Sequence, residues 1–239
     1  MRIIAVASLK GGAGKTAVSI FLSQLLREKG KTLAVDLDHN NNLTDYFLRN
    51  TETEKIESAN VYHALAGTRQ IVDCVHTSGD TEISVLPATP HLARVGLELA
   101  RDPGSILRFA KTLRKLDFAS IVIDTPPALC FELSCALYAA SIVLSPVSFS
   151  RWTVQGFALL KEEICGVSKA IGKAPRLLAL PVLVNSMQET KLRGSELAQF
   201  THSAIRRAGS IKSACDSGKP LKANSGSYAE FRELAEELC

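Results

Sequence analysis

The stretch Lys10-Gly11-Gly12-Ala13-Gly14-Lys15-Thr16 packs two ammonium groups, a hydroxyl and three glycines into seven residues. Glycines at this density let the backbone curl until successive N–H groups aim at one point, and such a point attracts oxyanions. A helix starting directly behind the curl adds its unpaired N–H groups and its dipole. The pattern reads as a phosphate loop in which Gly11, Gly12, Ala13, Gly14 and Ala17 cradle a nucleotide's phosphates. Lys15 reaches the β- and γ-phosphates, and the Thr16 hydroxyl serves Mg²⁺. ATP and Mg²⁺ are the expected cofactors.

Two acidic elements complete the chemistry. Asp36-Leu37-Asp38 closes an apolar run, and period-two spacing sets both carboxylates on one face. The run Ile121-Val122-Ile123 likewise ends in an acid, Asp124, followed by Thr125-Pro126-Pro127. Strand ends of open parallel sheets are where ligand-contacting groups collect. A hard divalent cation takes carboxylate oxygen, so Asp36 and Asp124 join Thr16 as the expected metal set.

Positioning these groups requires strands that end together. Residues 2–9 form a nearly continuous apolar run. Residues 16–29 then show helical spacing through Val18, Phe21, Leu22, Leu25 and Leu26, ending at Gly30 before a second strand at 32–37. This βαβ unit prefers a parallel sheet covered on both faces. Further strands are predicted at 82–86, 119–123, 141–147 and 177–184. Helices are predicted at 91–100, 104–116, 128–139, 153–168 and 188–203, with closing helices at 210–217 and 227–238. The polar stretch 50–80 reads as short helices plus an edge strand. The expected fold is α/β, a mostly parallel twisted sheet with helices on both faces, in one domain spanning 1–239.

Composition agrees with that class. Hydrophobic residues make up 46% of the 239 and charged residues 22%, which argues against disorder. No apolar run reaches the roughly 20 residues of a membrane span, and the first strand leaves no room for a signal peptide, so a cytoplasmic protein is expected. The six cysteines lack a CxxC pair and indicate neither a zinc site nor a disulfide framework.

The phosphate loop departs from the general Walker A pattern: Leu9 stands where the first glycine would be, and Lys10 precedes the double glycine. In this it resembles the deviant Walker A motif of the ParA/MinD family. The resemblance implies that Lys10 reaches across an ATP-bound homodimer to the partner's phosphates, and that Lys10, Lys15 and Asp38 are the catalytic set, Asp38 orienting the attacking water. Ile121–Asp124 is similar to the family's Walker B strand, and Asp124-Thr125-Pro126-Pro127 to its second switch. His39-Asn40 replace the family's usual Pro-Gln, although Asn42-Leu43-Thr44 matches the continuation. Ser145-Pro146-Val147 through Gly156, Ile205-Arg206-Arg207 and Ala214 through Leu221 also resemble family segments. Asn185 falls at a family position near the adenine, where a polar strand end satisfied within the chain is the alternative.

Family members read out the ATP state differently, and charge bears on the choice. The window 186–222 holds seven Lys/Arg against Glu189, Glu196 and Asp216, while Glu230, Glu233, Glu236 and Glu237 make the tail acidic. An acidic last helix disfavours the membrane attachment of MinD-like relatives. A basic window suits the nonspecific DNA binding that ParA proteins use, with Arg193, Arg206, Arg207, Lys212 and Lys219 as candidates; a solvated charged face is the plainer reading. The resemblance is to short ParA proteins, which implies plasmid or chromosome partition, slow ATP hydrolysis stimulated by a ParB-like centromere-binding partner, and association with the nucleoid. A MinD-like or cargo-positioning regulator is the alternative. A nitrogenase-iron-protein reading would use Cys130 and lacks a convincing second cysteine, and Lys10 argues against a small-molecule kinase.

Overall fold

The computed structural model describes residues 1–99, 102, 104–195 and 198–239. The chain begins with β1 (Arg2–Val6), α1 (Lys15–Arg27), β2 (Thr32–Asp36) and α2 (Asn42–Leu48). Short elements follow: α3 (Thr53–Ser58), α4 (Val61–Ala66), a 3₁₀ turn at Ile71–Cys74, β3 (His76–Thr77) and β4 (Ser84–Leu86). A second 3₁₀ turn, Pro90–Arg94, runs into α5 (Val95–Leu99), and α6 (Ser105–Leu113) comes next. The second half comprises β5 (Ser120–Asp124), α7 (Phe131–Ala139), β6 (Ile142–Val147), α8 (Arg151–Ile171) and β7 (Arg176–Val184). It closes with α9 (Ser186–Arg193), β8 (Ile205–Arg206), α10 (Gly209–Ser217) and α11 (Gly226–Glu237).

The strands form one sheet in the order β3-β4-β2-β5-β1-β6-β7-β8. Every pairing is parallel except β3 with β4. Alternation along β1 divides the core: Ile3 and Ala5 join Leu65, Phe109 and Leu133 on one face, while Ile4 and Val6 join Phe21, Leu22 and Phe231 on the other. Both faces are thus covered by helices, as a strand apolar on both sides requires. Each large side chain so buried stabilises the fold by about 1.5–3 kcal/mol.

The predicted elements are present with shifted bounds, with two exceptions. The predicted helix 188–203 is α9 alone, and its positions 196 and 197 lie outside the described residues, as does position 100 of the predicted helix 91–100. α9 stops at Arg193, and farther along Phe200 bridges to Ala179 and the chain continues into β8, an edge strand the periodicity did not reveal. The physical cause is Arg193 itself. Its guanidinium donates to the carbonyls of Thr201, His202 and Ser203, holding in extended form a segment whose sequence carries helical spacing. The second exception is α2, which follows the Asp38 turn and has no counterpart in the sequence prediction. On the other edge β4 starts only at Ser84, because Glu82 adopts a left-handed φ of 54°.

Candidate active site

β1, β2 and β5 are adjacent, and all three end at the same edge, so the phosphate loop, the Asp36–Asp38 turn and Asp124 converge there. The loop's curl depends on Gly12 and Gly14, at φ 70° and 78°, a region closed to most side-chain-bearing residues. Gly14 is the N-cap of α1 and supplies no capping side chain, so the first N–H groups of the helix stay available to an anion. A Cβ placed on Gly11, Gly12 or Gly14 would meet no other atom within 4 Å, and the cradle therefore opens outward. Ala13 is buried beneath it.

Lys15 is 6% exposed, and its ammonium donates to the Lys10 carbonyl at 3.3 Å. Burial lowers its pKa, and the carboxylates of Asp124 and Asp38 oppose that shift. Lys10 points elsewhere. Its Nζ donates to Ser150 Oγ at 3.2 Å, on the residue preceding α8. Ser150 occupies an N-cap position without capping the helix through its side chain.

Asp36 and Asp124 are register partners across the β2–β5 ladder, and both are fully buried. Each holds its proton above the usual carboxylate range: Asp36 at about 6, chiefly through desolvation, and Asp124 at about 7, through desolvation and then the charge of Asp36. The hydroxyls of Thr16 and Ser19 and the Lys15 charge pull Asp124 back down.

The two acids differ in what remains open. Asp36 Oδ1 accepts from the Asp38 N–H at 3.0 Å, and Oδ2 accepts from the N–H and hydroxyl of Thr44 at 2.9 and 2.8 Å. Asp124 Oδ1 accepts from Ser19 Oγ at 2.9 Å, but Oδ2 is buried with no hydrogen-bond partner. A buried carboxylate oxygen without a donor is costly unless a cation meets it. Asp124, with Thr16 in reach, therefore fits Mg²⁺, while Asp36 stands behind it with both oxygens engaged.

Asp38 is 6% exposed. Its Oδ1 accepts from the backbone and side-chain amides of Asn40 at 3.0 and 2.9 Å, and His39 Nδ1 lies 3.9 Å from the same oxygen. Asn40 thus holds the acid through both of its amides. Asn185 caps α9: its Oδ1 accepts from the Gln188 N–H at 2.9 Å, in a reciprocal capping box. Its side-chain amide nitrogen makes no hydrogen bond among the described residues.

The five basic candidates separate into two groups. Arg193 is paired with Glu189, and Arg206 with Glu189 and Glu230 at 3.3 and 3.0 Å. Arg207, Lys212 and Lys219 are exposed and, with Lys222, have no ion-pair partner among the described residues. Lys219 and Lys222 line a cavity of about 570 Å³ with Ser210, Ser213, Ser217 and Ser225. Sequence reasoning missed Ser19, Thr44 and Ser150. Ser19 had a signal, a hydroxyl on the apolar face of α1 between Val18 and Ile20; Thr44 lay in the Asn42-Leu43-Thr44 match, but its tie to Ala88, like that of Ser150 to Lys10, joins distant parts of the chain. Among the described residues no helix is long and apolar enough to cross a membrane.

A family model described as an AAA domain matches residues 1–176. The chromosome-partitioning ATPase Soj of Thermus thermophilus is 31% identical over all of this chain and 95% of its own length. A ParA family protein of Chlamydia pneumoniae is 28% identical over the whole chain and 97% of its own. Among solved structures, cobyrinic acid a,c-diamide synthase of Mycobacterium smegmatis with a bound ATP analog and magnesium is 26% identical. It superposes with a TM-score of 0.84, covering 100% of this chain and 94% of that one.

Proposed function

The chain belongs to the ParA family of P-loop ATPases, and on that premise we propose that it is an ATP-driven dimer that binds DNA without sequence preference and releases it on hydrolysis. The observation that carries the ATP-driven part of this reading is the convergence of the phosphate loop with Lys15, Asp38 and Asp124 on the edge where β1, β2 and β5 end.

In this reading the N–H groups of Gly11 to Ala17 receive the phosphates of ATP, and Lys15 exchanges the Lys10 carbonyl for phosphate oxygen. Thr16 and Asp124 would hold Mg²⁺, with Asp36, both of whose oxygens are engaged, supporting them from behind. When bound, the ion neutralises charge on the β- and γ-phosphates. Lys10 leaves Ser150 and crosses to the partner's nucleotide, supplying positive charge where negative charge gathers on the leaving oxygen, as an arginine finger does. Asp38, its Oδ1 occupied by Asn40, has Oδ2 left to accept from the attacking water and fix its approach. The amide nitrogen of Asn185, unpaired among the described residues, is left to meet the base.

The DNA surface is narrower than the charge count implies. Arg193 and Arg206 neutralise acids of α9 and α11, which leaves Arg207, Lys212, Lys219 and Lys222 to meet backbone phosphates. Partition of a plasmid or chromosome follows if a ParB-like protein docks on the closed dimer and stimulates hydrolysis. Sedimentation velocity tests the trans role. The Asp38→Ala chain should double in mass with ATP and stay a monomer with ADP, and adding Lys10→Ala should abolish the ATP dimer. A Lys10→Ala chain that dimerises as well as its parent overturns the reading.

A further inference from the structure

Thr44 lies at the third residue of α2 and is 3% exposed. Its N–H and its hydroxyl both donate to Asp36 Oδ2, at 2.9 and 2.8 Å, and its Oγ1 in turn accepts from the Ala88 N–H at 2.9 Å. The other oxygen of Asp36 accepts from the Asp38 N–H. One buried chain of hydrogen bonds therefore runs from Ala88, past the end of β4, through Thr44 and Asp36 to the backbone that carries Asp38. It continues outward, because the Val61 N–H at the start of α4 donates to the carbonyl of Pro87 at 2.8 Å.

The two side-chain links, Thr44 and Asp36, depend on residue type, while the others are main-chain groups. Only a hydroxyl can donate to a carboxylate and accept from an N–H at the same atom. Valine at position 44 would keep the shape while leaving the Ala88 N–H and one Asp36 lone pair buried without partners. Among the described residues no other side chain hydrogen-bonds to Asp36, so Thr44 is the side chain that aims that carboxylate toward the Asp38 N–H.

We infer that Thr44 is a positioning residue for hydrolysis: it orients Asp38 through Asp36 and ties the catalytic turn to the segment after β4. The inference rests on the reading of Asp38 as the group that orients water. Since Thr44 meets neither phosphate nor base, its loss should act on turnover and not on nucleotide affinity.

The test is steady-state ATPase kinetics of the full chain carrying Thr44→Val or Thr44→Ser, beside Asp38→Ala. Thr44→Val should lower kcat by about tenfold to a hundredfold, the scale of a small misplacement of a reacting group, with KM for ATP changed less than about threefold. Thr44→Ser, which keeps the hydroxyl, should stay within about twofold of the parent. Should Thr44→Val not fold, as judged by the loss of a cooperative melt, Thr44→Ala makes the same comparison. Unchanged kcat in the variants lacking the hydroxyl, or a Ser variant as slow as Val, overturns the inference. If Asp38→Ala itself hydrolyses ATP normally, the reading of Asp38 falls first; if Asp38→Ala is inactive while Thr44→Val turns over normally, only the role of Thr44 falls.

Discussion

Asp36 and Asp124 sit side by side as register partners of two central strands, both at 0% exposure, with a hydrogen-bond donor missing from one oxygen of Asp124. Their pKa values are raised above the ordinary 3.8, to about 6 and about 7. The folded state therefore holds protons that the unfolded state has released by about pH 4. This contribution to stability is fully present below the unfolded pKa and is lost as pH rises through the window from about 4 to about 7. The melting temperature of the metal-free protein should fall across that window, and Asp124→Asn should flatten the slope. Mg²⁺ should restore stability most at the alkaline end, where the pair carries its charge. A melting temperature that rises through this window and is unaffected by Asp124→Asn would contradict the account.

Ser19 is the side chain that supports Asp124 from below. Ser19→Ala removes the donor at 2.9 Å and leaves a buried carboxylate with one fewer partner. Urea unfolding of the metal-free variant should show a loss of about 1–3 kcal/mol at neutral pH, the usual cost of a charged group deprived of its hydrogen bond. Part of that loss should vanish at pH 5, where Asp124 carries its proton.

Lys15 makes one hydrogen bond to its own loop, and burial of its ammonium outweighs the attraction of Asp124 and Asp38, lowering its pKa. Lys15→Ala should therefore leave the unliganded melting temperature within a few degrees of the parent while abolishing the shift produced by ATP with Mg²⁺. Differential scanning fluorimetry with and without nucleotide separates the two effects.

The split among the basic residues gives a prediction of opposite signs. Glu230→Gln removes one of the two ion-pair partners of Arg206, leaving only Glu189 at 3.3 Å, and should strengthen duplex binding. Lys219→Ala and Lys222→Ala should each weaken binding uniformly across sequences and reduce the slope of log K against log salt by about 1. The reverse pattern would place the DNA on another face.

Much of this fold is written locally. The apolar runs of β1, β2 and β5 and the spacing of Val18, Phe21, Leu22, Leu25 and Leu26 are enough to predict the strand-loop-helix that forms, and all five are buried. Period and glycine placement decide such elements with little help from the rest of the chain. The segment after Arg193 is different. The backbone at Thr201, His202 and Ser203 is held by one guanidinium and by Glu237, which accepts from the N–H groups of His202 and Ser203, and no local pattern encodes a partner 34 or 35 residues away. The same limit applies to the site. Lys15, Thr16, Asp38 and Asp124 lie in motifs legible one at a time, whereas the bonds of Ala88 to Thr44 and of Lys10 to Ser150 join segments that only the folded sheet brings together. Charge is the least legible property: Arg193 and Arg206 count as cations in the sequence and are neutralised in the structure.

The central claim is that ATP controls attachment to DNA. Binding of a nonspecific duplex by the Asp38→Ala chain, titrated with salt in the presence of ATP, of ADP and of no nucleotide, tests it most directly. The account predicts binding with ATP alone, weakening steeply and log-linearly with salt. Equal binding in all three states, or none at any salt, would contradict it.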